Sequence, residues 1–261
     1  MKFFIEEILE NDAIKEILLA DKETAKEGKK IADEIISTGD IPSLKAGFLP
    51  IFVLAHLADH VLELNSSKGI AKEITVATLK DVNIWLDNYQ VQYGELGLGE
   101  FCWLKYHYTG DLFRLGRLQF RIEKCLPGVP EGDVAIETHI PQGEPLKVED
   151  CLNSFDMAKD FFRKFYPQHD PKYFMCDSWL LNPNLAKVLP EESNIVKFMR
   201  LWETFPFPAD NNTQVVNRVF GLGFKKENLK DAPENTSLQK AMKAYLLAGG
   251  EMNMAGGCRR I

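Results

Sequence analysis

Residues 133–155, DVAIETHIPQGEPLKVEDCLNSF, join an alternating stretch to a helical one across a single break. Val134, Ile136, Thr138 and Ile140 fall on one side of a strand and Ala135, Glu137 and His139 on the other, the period-two pattern of a strand. Pro141-Gln142-Gly143 interrupts it before helical spacing resumes. A helix start leaves backbone N–H groups unpaired at the positive end of the helix dipole, which suits a phosphate or another anion. Glu137 and His139 precede that turn on one strand face, so the stretch predicts a base beside an anion cradle. The same pattern also describes an ordinary strand–helix junction, and periodicity alone does not separate the two.

At 261 residues and 45% hydrophobic content, the chain can bury a substantial core in one large domain or two ordinary ones. A formal charge of -7 argues against a basic face for nucleic acid and favours a small-molecule or protein partner. The longest apolar run, GFLPIFVLAHLADHVL, is broken by Pro50, His56, Asp59 and His60, short of the ~20 residues a membrane span needs. It reads as a buried helix. The opening MKFFIEEILEND turns acidic within a few residues and lacks a signal-peptide pattern, so the expected location is cytoplasmic. Five cysteines, Cys102, Cys125, Cys151, Cys176 and Cys258, are odd in number and lack CxxC spacing, which disfavours both a disulfide framework and a thiolate zinc site.

Residues 1–110 read as helices: stripes from Phe3 and Ile14, then Thr24 to Ser37, Ser43 to Leu64 and Thr75 to Tyr93. His56, His60 and Glu63 can share one helical face, but no third strong ligand accompanies the histidines, and no metal site is expected. A helix turn around Trp103 to His107 ends at Gly110, and residues 111–123 read as a strand with an irregularity at Gly116. Leu118, Phe120 and Ile122 alternate there with Arg117, Gln119 and Arg121, a polar face able to recognise carboxylate or phosphate, or simply an edge facing water. CLPGVPEGD is the strongest linker signal. It divides a helical N-terminal domain ending in a strand, 1–125, from a second domain, 126–261. Beyond it the expected order is strand 133–141, helix 147–165, strand 172–181, short helix 183–189, strand 194–204, helices 213–220 and 237–247, and a last strand in the glycine-rich tail. Such alternation implies an α/β (α+β) fold with some parallel pairing.

The blocks WLKYHYTGDLFRLGRLQF, ETHIPQGEPLKVEDCLNSFDMAKDFF and FMCDSWLLNPNLAKVLPEESNIVKF resemble a bacterial group of acyltransferase-domain proteins. In that group an all-helical N-acyltransferase region precedes a C-terminal domain similar to the GNAT-type N-acyltransferases. The likeness spans Thr75 to Phe198. It implies a mixed, partly parallel sheet flanked by helices, in which one central strand splays from its neighbour. Acyl-CoA would lodge in the splay, with its pyrophosphate on the following turn, making Ile140, Gln142, Gly143 and Leu146 the cofactor-binding candidates. The turn departs from the Arg/Gln-x-x-Gly-x-Gly/Ala loop of GNAT enzymes, reading Gln142-Gly143-Glu144-Pro145 instead.

N-acyl transfer needs a base for the attacking ammonium, a donor for the oxyanion and an acid for the thiolate. His139, then Glu137, are the base candidates, and Ser178 is the proton-donor candidate. Arg117, Gln119, Arg121 and Trp179 are the substrate-contact candidates, with a small-molecule amine as acceptor. In MCDSWL, Cys176 and Ser178 share one strand face while Asp177 and Trp179 share the other. A second reading keeps the fold without catalysis and uses the cleft to bind a ligand or partner, which Glu144 in the turn favours. A third, a hydrolase built on His139 with Ser178 or Cys176, lacks the Gly-x-Ser-x-Gly elbow.

Overall fold

A computed structural model describes residues 1–124 and 134–261. The CLPGVPEGD linker signal, with Cys125 in it, lies outside the described residues. The chain forms two compact units, Met1–Leu115 and Gly116–Ile261.

The first unit holds a π-type turn, Phe4–Ile8, and helices α1 (Asp12–Ala20), α2 (Lys22–Thr38), α3 (Leu49–Ser67), α4 (Lys72–Leu79), α5 (Asp81–Tyr93) and α6 (Phe101–Tyr108), with β1 (Leu112–Leu115) at its end. Side-chain caps set the early boundaries: Asn11 accepts the N–H of Ile14, and Asp21 accepts that of Thr24. The apolar run predicted to be a buried helix is α3, whose Ile51 to Ala55 are all solvent-free. It starts at Leu49 rather than Ser43, with Pro50 in its first turn, where proline's missing N–H removes no helical bond. The single helix expected over 75–93 is two. Buried Asn83 donates to the carbonyls of Ile8 (2.9 Å) and Lys80 (3.1 Å), and this local competition for a helical acceptor breaks the run. No helix among the described residues is long and apolar enough to cross a membrane.

The second unit contains β2 (Leu118–Lys124), β3 (Val134–His139), α7 (Val148–Phe165), β4 (Tyr173–Ser178), α8 (Leu185–Val188), α9 (Asn194–Met199), β5 (Glu203–Pro206), α10 (Thr213–Phe220), α11 (Ser237–Leu247) and β6 (Ala255–Arg260). Its strands lie in the order β2-β3-β4-β6-β5. Among the described residues only β3 and β4 run parallel; the β2–β3, β4–β6 and β5–β6 pairs are antiparallel. This is the mixed, partly parallel sheet that the resemblance implies. The strand expected over 111–123 divides at Gly116, whose φ of 70° turns the chain. The strand expected over 194–204 is instead α9 followed by β5. Ser193 caps that helix by accepting the N–H of Val196, and Ile195, Val196, Phe198 and Met199 have helical rather than alternating spacing.

Helix α7 covers the sheet face carrying Phe120, Ile136 and Phe174. Phe155 on that helix has its ring centroid 4.8 Å from Phe174 and 6.0 Å from Phe120. The alternation of β2 and β3 therefore turns Gln119, Arg121, Glu137 and His139 to the opposite face. On that face the Phe205 ring lies across β6 at Gly256, where a Cβ would sit 2.2 Å from the nearest ring carbon. Only a residue without a side chain accommodates this crossing. Gly256→Ala is expected to push the Phe205 ring off the strand and to destabilise the protein by about 1–3 kcal/mol, read from the midpoint of urea unfolding.

Candidate functional site

The sheet opens where β3 leaves β4. Their parallel register comprises Ala135↔Tyr173, Ile136↔Phe174 and Glu137↔Met175, although each strand continues beyond, to His139 and Ser178. Pairing of β3 with β2 persists to its end, where Gln119 faces His139. The last residues of β3 thus stay with one neighbour and part from the other. Beside this parting, the Thr138 hydroxyl is buried without a hydrogen-bond partner among the described residues.

On the face opposite α7, the parting is lined by ionisable groups. Arg121 stands opposite Glu137 in the ladder, and its guanidinium pairs with both Glu137 and Glu123. His139 Nε2 lies 3.2 Å from the same Glu137 carboxylate. Burial pushes the Glu137 pKa up, but His139 and Arg121 outweigh it and carry the carboxyl from 4.5 down to about 2. Glu137 is therefore a fixed anion held between Arg121 and His139, and His139 is the more exposed of the Glu137–His139 pair. The parallel register places Asp177 on this face too. Burial, then the Glu137 charge, raises its pKa, against a smaller opposing effect from His139. Glu137, Met175, Asp177, Phe205, Phe207 and Gly256 border a narrow pocket here. It joins carboxylates of two different proton affinities to apolar walls.

The turn after β3 is held from inside by Arg117. Its Nε donates to the carbonyl of Glu144 at 2.9 Å, Nη2 to the same oxygen at 2.6 Å and Nη1 to the Pro141 carbonyl at 3.0 Å, with Pro145 O 3.3 Å from Nε. The Arg117 N–H itself donates to the buried Ser154 hydroxyl of α7 at 2.8 Å. All peptides here are trans, so the N–H groups of Gln142 and Leu146, in the same peptide units as the Pro141 and Pro145 carbonyls, face away from Arg117. Helix α7 begins at Val148 without a side-chain cap, Gly143 has open space around its Cα, and Leu146 is buried. Of the cofactor candidates, Gln142, Gly143 and Leu146 thus sit in a clamped turn, and Ile140 precedes it at the end of β3. Around that turn Glu144, Glu149 and Asp150 are all exposed carboxylates.

Several sequence candidates stand elsewhere or act differently. Ser178 lies on the α7 side of the sheet with Cys176, away from His139. Its hydroxyl accepts the Leu180 N–H (3.2 Å) and lies 3.4 Å from Gln214 Oε1, so it shapes the strand end. Trp179 packs in an apolar cluster with Leu185, Val196 and Val216 rather than facing the parting. Of the substrate-contact candidates, Arg117 is engaged with backbone carbonyls and is 6% exposed, and Gln119 is fully buried. Arg121 does reach the site, through Glu137. In the first unit, His56 Nε2 lies 3.2 Å from the Ala25 carbonyl, and no metal-binding group occurs among the described residues. Asp177, Phe205 and Phe207 were not selected from the sequence. The alternation of MCDSWL did separate Asp177 from Ser178, but only the β3–β4 register joins it to His139.

The model of the GNAT-like C-terminal domain matches residues 112–259, and that of the N-acyltransferase N-terminal domain matches residues 5–110. No curated protein matches the chain. Among solved structures, an acyltransferase in complex with decanoyl-CoA superposes with a TM-score of 0.81 at 21% identity, covering 100% of this chain and 86% of that one. An acyltransferase mutant in complex with octanoyl-CoA gives 0.77 at 24% identity over 100% and 86% of the two chains. An acyltransferase in complex with decanoyl-CoA and teicoplanin gives 0.76 at 24% over 99% and 82%. At these identities the likeness establishes the fold.

Two outcomes follow from the geometry. Arg117→Lys loses the guanidinium fork across three carbonyls and is expected to destabilise the protein by about 2–4 kcal/mol in urea titrations. Glu137 has a depressed pKa in the folded state, so its stabilisation is complete above its ordinary 4.5 and drains as pH falls toward about 2. Asp177, with a raised pKa, works in the opposite direction. The stability difference between the wild type and Glu137→Gln should therefore shrink between about pH 4.5 and 2, measured by urea midpoints across that range.

Proposed function

The chain belongs to the family of proteins with a GNAT-like C-terminal domain, and on that premise we propose that it transfers an acyl group from acyl-CoA to the amine of a small molecule. The observation that carries this reading is the parting of β3 from β4 with Glu137, His139 and Asp177 beside it. Two strands that separate present unpaired backbone groups to an extended ligand, and a thioester between them would lie next to a base.

In this reading His139 takes a proton from the attacking ammonium, while Glu137, locked by Arg121, holds the imidazole in place. The amine nitrogen then bonds to the thioester carbonyl carbon. Charge develops on its oxygen, beside which the backbone N–H groups of β3 beyond Glu137, where its pairing with β4 has ended, would stand as donors. Collapse breaks the carbon–sulfur bond, and the proton that the bonded nitrogen must still lose passes to the departing thiolate, with Asp177, its proton affinity raised by burial, better placed than Ser178 to relay it. Solved relatives of this fold carry octanoyl-CoA or decanoyl-CoA, so medium-chain thioesters are the first donors to test.

A second reading, a non-catalytic module using the same cleft, draws on one observation. Glu144, Glu149 and Asp150 surround the turn where pyrophosphate would bind, and anions there oppose an anionic ligand. Calorimetric titration with coenzyme A and decanoyl-CoA separates the readings at the first step: saturable binding is expected, and flat traces with both would remove the acyl-CoA reading. Given binding, His139→Gln is expected to lower acyl transfer to an amine about 10²-fold or more with the fold intact. Unchanged turnover would exclude His139 as the base.

A further inference from the structure

A second cavity in the Gly116–Ile261 unit has no place in the chemistry above. It encloses about 390 Å3 at the C-terminal end of α7, and Lys159, Phe162, Arg163, Tyr166, Lys172 and Arg260 contribute to its lining. Lys159, Arg163 and Tyr166 recur at four- and three-residue intervals, so they form one stripe on and just beyond α7. Lys172 immediately precedes β4, and Arg260 lies opposite Tyr173 in the β4–β6 ladder. The cavity therefore sits where β4 begins, whereas the parting lies where β3 and β4 end. It is also on the α7 side of the sheet, where Ile136 borders it.

Charge distinguishes this cavity from the rest of the chain. Four cationic residues from three separate elements contribute to its lining, and Asp170 is the one acidic side chain there, in a protein whose net charge is -7. Asp170 pairs with Lys172. Arg163 reaches Asp160 only at 3.9 Å with both groups largely exposed, a contact worth little in water. Lys159 and Arg260 make no ion pair among the described residues. Unpaired cations of like sign repel one another unless an anion joins them.

We infer that this cavity binds a small phosphomonoester carrying a flat or apolar body. Lysine and arginine residues contributed by α7, by the segment before β4 and by β6 suit an anion with several oxygens, and a guanidinium fork such as that of Arg163 matches phosphate geometry. The volume falls within the ~300–1,000 Å3 typical of small-molecule sites, and Phe162, Tyr166, Pro167 and Pro171 provide walls for an organic portion. This inference is independent of the acyl-transfer reading, because no residue of the parting takes part.

The test is calorimetric titration of the full chain with adenosine 5′-monophosphate, inorganic phosphate and adenosine. Saturable binding of the monophosphate is expected with a dissociation constant of about 1 mM or below, with weaker binding of inorganic phosphate and none of adenosine. Reversing both unpaired cations, Lys159→Glu with Arg260→Glu, should weaken monophosphate binding by about tenfold or more. Should the double variant fail to fold, Lys159→Gln and Arg260→Gln singly should each weaken binding several-fold. A flat titration with both phosphates, or unchanged affinity in folded variants, would overturn the inference.

Discussion

Strand β3 is paired unequally with its two neighbours, and the organisation of the second unit follows from that. Six ladder positions join it to antiparallel β2 and three join it to parallel β4. Its second half follows β2 away from β4, so the sheet opens beside residues that β2 still holds in register. The opening is rigid on one side, where cross-strand pairs such as Arg121 and Glu137 fix side-chain positions. Backbone groups at the other side are no longer committed to a strand neighbour, which is how a sheet interior can present hydrogen-bonding edges without an exposed outer strand.

Arginines of β2 and of the turn before it extend this control to both ends of the site. Arg121 keeps Glu137 ionised, and Arg117, anchored through its own N–H to Ser154, gathers the carbonyls of Pro141, Glu144 and Pro145 to one side of the next turn. The amides of Gln142 and Leu146 are thereby displayed on the other side. Glu137 and Asp177 show how environment divides two carboxyls on one sheet face. The first has His139 and Arg121 beside it, which outweigh its burial; the second is buried beside the first, and its pKa is raised. Groups pushed apart in this way can supply both a fixed anion and a proton source within one pocket.

Much of this was legible in residue order. The alternation Val134 to Ile140 and the break at Pro141-Gln142-Gly143 locate β3 and its turn, and Glu137 with His139 follow from one period-two count. The apolar run around Ile51 to Ala55 identifies the buried helix of the first unit. Readings failed where a side chain decides a backbone choice. Asn83 splits one expected helix by taking the Lys80 carbonyl, and Ser193 turns an apolar run into α9. Arg117 looked like a ligand contact because a guanidinium on a strand face binds anions and carbonyls alike. Its carbonyls lie some two dozen residues on, and no local pattern records them.

The identity of the strand–turn–helix, its polar face and its base candidates is a property of local sequence, because alternation and turn chemistry act over a few residues. Which strands neighbour one another, and in what register, is a property of the folded sheet. The same MCDSWL alternation would serve whether Asp177 or Ser178 faced His139. The pairing of Glu137 with Met175, set by how α7 packs Phe155 onto Phe120 and Phe174, puts Asp177 at the parting and Ser178 behind it.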